Sequence, residues 1–107
     1  MGTVDPTKHS SALGSTARTY RAFQEIAIER AAQDAKWGVS VERNLDWGTW
    51  LAILTEEVGE FARAILNDDI PERQNPKTRL KEIIQVAAVA TAILEVVQHE
   101  NDTGPLL

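Results

Sequence analysis

Three glutamates fall within the stretch Thr55-Glu56-Glu57-Val58-Gly59-Glu60, and further on Glu82 is followed three positions later by Gln85. On a helix, side chains three or four positions apart are neighbours, with roughly 5–6 Å between their Cβ atoms. Glu57 and Glu60 can then share a ligand, and Glu56 can reach Glu60. Like charges at this spacing destabilise an isolated helix. A hard divalent cation with oxygen ligands offsets that repulsion. The pattern predicts a Mg²⁺ or Mn²⁺ site built from carboxylates on two facing helices. The chain has no cysteine, so disulfides, thiolate ligands and a cysteine nucleophile are excluded. No Ser/His pair is recognisable either, and covalent catalysis is not expected.

Two helices must present these groups. Asp46 is a good N-cap for a helix over about Trp47 to Leu66. There Leu51, Leu54, Val58, Phe61 and Ile65 step by three or four and predict the core stripe. Glu57 lies on the border of that stripe, in line with Ile53 and Ala64. Asn67-Asp68-Asp69-Ile70-Pro71 ends the helix, because proline cannot continue it. A further helix is expected over about Lys77 to His99, with Lys81, Thr91 and Glu95 on its polar arc. Glu82 falls opposite that arc, in line with Val86, Val89 and Ile93. A carboxylate on an apolar face must protonate or find a cation. The alternative partner is an arginine such as Arg30 or Arg63, with Glu56 and Glu60 left as solvated charge.

Upstream, a first helix is expected over about Thr16 to Lys36. Tyr20, Phe23, Ile26, Ala27, Arg30, Asp34 and Trp37 share one face, and Gly38 stops it. Residues 1–17 read as a flexible leader, with His9 a surface histidine, residues 18–100 as one helical domain, and 101–107 as a tail. No segment alternates like a strand. The expected class is all-α, with three main helices. Ile83, Val86, Ala87, Val89, Ala90, Ile93, Leu94 and Val97 cover well over half the circumference of the third helix. Such a helix is buried on most sides, and three helices cannot bury it alone. A homodimer completing a larger bundle is therefore expected, the alternative being a monomer with a wide stripe softened by alanines.

Composition limits the partners. At 107 residues the chain forms one domain. Its net charge is -5 without a basic cluster, which argues against nucleic-acid binding. No apolar run is long enough to span a bilayer and no signal pattern opens the chain. A cytoplasmic location is the expectation.

Glu57-x-x-Glu60 preceded by Glu56, then Glu82-x-x-Gln85, resembles the Glu-x-x-Glu, spacer, Glu-x-x-Asp motif of the MazG-like all-α nucleoside triphosphate pyrophosphohydrolases. Glu29-Arg30-Ala31-Ala32-Gln33-Asp34-Ala35-Lys36-Trp37-Gly38 is similar to the ER-x-x-Q-x-x-x-W-G segment of phage and bacterial MazG-like proteins. Leu80 to Ala90 is similar to their second acidic helix. The resemblance covers about residues 20–98. It implies Mg²⁺-dependent hydrolysis of a (d)NTP to monophosphate and pyrophosphate by metal-activated water, in a homodimer or dimer of dimers. Carried over, Glu57, Glu60 and Glu82 are metal ligands, and Glu56 is an extra ligand or orients water with Glu57. Gln85 departs from the motif's Asp and is expected as a neutral ligand. Lys77, Arg79 and Lys81 could meet the outer phosphates. Gln33 and Trp37, one turn apart, could bind the base, with Trp47 and Trp50 as other candidates and a lean towards purines from the resemblance. The competing expectation is a helical nucleotide-binding or interaction module of the same fold, weak or inactive in catalysis.

Overall fold

A computed structural model describes residues 6–103, with side chains from Thr16 onward. Helix α1 spans Pro6–Trp37, α2 Trp47–Asp68 and α3 Pro76–Thr103, with short 3-10 turns at Ser40–Glu42 and Pro71–Arg73. Among the described residues there is no strand, and the all-α class expected from the sequence is observed. No helix among them is long and apolar enough to cross a membrane. α3 is the central element. It packs against α2, against α1 and against the Ser40–Glu42 turn.

Helix ends follow local chemistry. The Asp46 side chain caps α2 by accepting from the Thr49 N–H at 2.7 Å. Gly38 closes α1 at φ 92°, in the left-handed region, and its N–H donates to the Asp34 carbonyl at 2.9 Å. Pro76 opens α3, where its missing N–H costs nothing. Asn75 accepts there from the Lys77 N–H at 3.2 Å.

Two boundaries correct the expectation. α1 begins at Pro6 rather than Thr16, so residues 6–17 of the expected leader are helical. No proline follows Pro6 before Pro71, and a nucleated helix gains one bond per residue it extends. α3 continues past His99 to Thr103. Residues 1–5 and 104–107, and the His9 side chain, lie outside what is described.

The core is small: Trp50, Ala64, Ala88, Val89 and Ala92 are its buried apolar residues. The predicted α2 stripe is not its centre. Leu51 is 64% exposed, Val58 and Ile65 are also exposed, and Leu54 and Phe61 are half-buried. The apolar arc of α2 is wider than one neighbour covers, and α3 takes the edge that carries Trp50 and Ala64. Glu57, Glu60 and Ile53 are half-buried with that edge. Of the broad apolar face of α3, Ile83, Leu94 and Val97 are exposed in the single chain, as is Leu80. On α1, Tyr20 and Phe23 are exposed and touch edge to face, whereas Arg30 is buried. The radius of gyration is 18.6 Å, against about 13 Å for a compact chain of this length.

Candidate functional site

One carboxylate oxygen from each of Glu57, Glu60 and Glu82 lies within 4.8 Å of the other two. α2 supplies the first pair one turn apart, and α3 brings Glu82 against them. All three side chains are half-buried. Burial raises the Glu57 carboxyl above the usual glutamate range, and the charges of Glu60, Glu82, Glu56 and Glu29 add to it. Burial also raises Glu82. The Glu60 charge and a hydrogen bond with Glu60 push the same way, against Lys81 and Arg63. Among the described residues no ion pair reaches this cluster. The expected alternative of Glu82 paired with Arg30 is not observed, since Arg30 is committed to Glu95.

Gln85 joins the cluster as a donor. With its amide nitrogen turned towards the acceptors, it donates to Glu57 Oε2 and to Glu82 Oε2, each at 3.2 Å. Carboxylates on both sides dictate that orientation. Gln85 therefore bridges two cluster members across α2 and α3, whereas the sequence suggested a neutral oxygen ligand.

A pocket of about 560 Å³ adjoins the cluster. Its walls are Gln33 and Trp37 from α1, Arg43 and Leu45 from the α1–α2 connection, Ile53, Glu56 and Glu57 from α2, and Val89 from α3. Glu57 thus belongs to both cluster and pocket. Glu56 is exposed on the pocket wall, and the Trp37 ring lies 4.8 Å from the Lys36 ammonium.

Beneath the pocket runs a polar network centred on Arg30, which is 5% exposed. Its Nη2 donates to Asp34 at 2.7 Å and to Glu95 Oε1 at 2.6 Å, its Nε to Glu95 Oε2 at 3.2 Å, and its Nη1 to Gln33 Oε1 at 3.0 Å. The buried Ser40 hydroxyl donates to Glu95 Oε1 at 2.6 Å. The Arg30 hydrogen bond holds the Glu95 carboxyl below its usual range in spite of burial. Arg43 donates to the Gly38 carbonyl at 2.7 Å and to Asp34 at 3.3 Å, and lies 5.5 Å from the Trp50 ring. Burial and the neighbouring Arg30 charge lower the Arg43 pKa.

Of the residues expected to bind substrate, Gln33 and Trp37 line the pocket beside the acids. Arg79 does not. It pairs with Asp68 at 2.5 Å in a separate groove with Phe61 and Ile65. Lys77 and Lys81 line another groove, which meets the cluster only through Gln85. Arg79 and Lys81 are two positions apart, hence about 200° apart on a helix, and line different grooves. Trp50 is 2% exposed and belongs to the core, and Trp47 is outside the pocket lining. Sequence reasoning missed Arg43, Leu45, Ser40 and the role of Glu95. The only local signal was Arg43 in an otherwise short polar connection.

No family model matches the chain, and neither a curated protein nor a solved structure matches it.

Proposed function

We propose that the chain holds a divalent cation at Glu57, Glu60 and Glu82 and hydrolyses a nucleoside triphosphate, ribo or deoxyribo, to its monophosphate and pyrophosphate. The carrying observation is that Glu57 is shared by the acid cluster and the pocket. The donor set fits a small hard cation: three carboxylates with oxygens already within 4.8 Å, no paired counter-cation among the described residues, and Glu57 and Glu82 carboxyls raised by burial and by neighbouring carboxylates. Those are the conditions that a Mg²⁺ or Mn²⁺ ion relieves. The MazG-like resemblance supplies the reaction type.

A bound ion there supplies positive charge for phosphoryl oxygens and acidity for a water. The protein's own groups do the rest. Gln85 holds Glu57 and Glu82 in orientation through its two N–H groups. Glu56 takes the proton of the water that adds to the α-phosphorus, and pyrophosphate leaves. The Trp37 ring, with Leu45, Ile53 and Val89, packs the base, and Gln33 meets its edge. Arg43 adds positive charge to the wall. Arg79 has no part in this scheme. The exposed apolar residues of α2 and α3 support a second copy completing the bundle, as a homodimer or dimer of dimers.

A second reading, a nucleotide-binding module without turnover, is favoured by Gln85, which stands where a further carboxylate would add charge. A panel of NTPs and dNTPs with Mg²⁺ or Mn²⁺ separates the two. The hydrolase releases pyrophosphate well above background and stops in EDTA. Absence of release with every nucleotide at high protein concentration leaves the module, and release of orthophosphate contradicts the bond assignment.

A further inference from the structure

The orientation of Gln33 is decided by its neighbour. Arg30 carries only donors, and its Nη1 donates to Gln33 Oε1 at 3.0 Å. The rest of that guanidinium is fixed from three sides by Asp34 and both oxygens of Glu95, with Ser40 bracing Glu95 in turn. The Gln33 oxygen therefore faces Arg30, which engages one of its two lone pairs and fixes which end of the amide is turned away from the guanidinium. Gln33 lines the pocket, and its amide nitrogen, on the end turned away from Arg30, has no hydrogen-bond partner among the described residues. Arg43, on the same wall, is also donor-only.

We propose that Gln33, locked by Arg30, selects a nucleobase that presents a carbonyl oxygen over one that presents an exocyclic amine at the same position. This rests on the nucleotide-binding reading above and deepens it. An amine meeting the Gln33 N–H sets donor against donor and leaves both unsatisfied. Sites that hydrogen-bond a substrate group reject the analogue lacking it far more strongly than apolar pockets reject a changed shape. Purine and pyrimidine stay open, because hypoxanthine and guanine carry the carbonyl as uracil does.

Two pairs make the swap, together with the change from N–H to bare nitrogen at the adjacent ring position: dITP against dATP, and dUTP against dCTP. Calorimetric binding with Mg²⁺, beside pyrophosphate release, is measured for the wild type and Gln33→Glu. The substitution keeps shape, leaves one oxygen for Arg30 and turns an acceptor to the pocket. The wild type is expected to favour the carbonyl member of the pair it accepts by about tenfold or more, and Gln33→Glu to abolish or invert that ratio. Charge repulsion from the new carboxylate is equal within each pair and cancels. Equal binding within the pairs, an amine preference, or an unchanged ratio in Gln33→Glu overturns the inference, as does failure of all four to bind. Carbonyl-selective binding without pyrophosphate release supports the inference while overturning the hydrolase. Turnover without base discrimination does the reverse.

Discussion

Gln85 is the residue whose replacement says most about the cluster. Its amide hydrogens serve Glu57 and Glu82, so Gln85→Asp removes two donors and adds a carboxylate. Titration calorimetry is expected to show Mg²⁺ binding tightened by roughly tenfold, because ligand charge tunes affinity for hard cations. In EDTA the variant is expected to melt below the wild type, since the new charge meets carboxyls already raised by burial and by each other. Unchanged affinity would mean that position 85 does not act on the cation. At this scale the convergence of Glu57, Glu60 and Glu82 was legible in the sequence. It rests on a three-residue spacing and on one glutamate misplaced on an apolar face, both local signals. Gln33 and Trp37 were legible for the same reason. The Arg30–Glu95 pair was not, because it joins residues 65 positions apart, and periodicity assigned Glu95 to a solvated arc. The charge of Arg79 and its place near the start of α3 suggest a phosphate contact, and the structure pairs it with Asp68 at the end of the preceding helix.

The helices are held to one another by polar clasps at both ends of α3. At its start, Asp68 accepts from the Asn75 N–H at 2.8 Å and pairs with Arg79. Asp68→Ala is expected to lower the unfolding free energy in urea by about 1–2 kcal/mol and to leave Mg²⁺ affinity unchanged, since it touches no cluster residue. A loss of affinity would join this clasp to the site. Towards its other end, Glu95 clasps α1 through Arg30. Its carboxyl is held below the ordinary value of 4.5. The clasp's stabilisation is therefore complete above the ordinary glutamate range and lost as pH falls through the folded-state value. Glu95→Gln is expected to cost roughly 1–2 kcal/mol at pH 7. That lies below the usual figure for a broken buried pair, because Glu95 is 38% exposed and Arg30 keeps Asp34. The gap to wild type should close as the pH drops below the ordinary range. A gap constant from pH 7 into acid would show that the charge is not its source. The α2 start was readable from Asp46, whose cap is local. The α1 start was not, because Gly and Ser only weaken a helix that nothing stops.

The whole chain leaves more apolar surface open than three packed helices of this length should. Leu51, Leu66, Leu80 and Leu94 are all exposed, and the radius of gyration exceeds the compact value. The sequence showed the breadth of the apolar faces but not which edge of each would pack within the chain, because periodicity locates an arc and not its neighbour. Light scattering at micromolar concentration is expected to give a dimer or larger. A monomer of the chain mass of 11.8 kDa would contradict completion of the bundle by a second copy. The central claim, a cation held among Glu57, Glu60 and Glu82, also reads out on the whole fold, through the melting temperatures of wild type and Glu82→Gln in EDTA and in Mg²⁺. Mg²⁺ is expected to stabilise the wild type by mass action, by about 2.7 kcal/mol at a hundred times its Kd, and the variant much less. In EDTA the variant should melt at or above the wild type, because one of three repelling carboxylates is gone. A variant that melts far below wild type in EDTA, or that gains as much as wild type from Mg²⁺, would contradict the account.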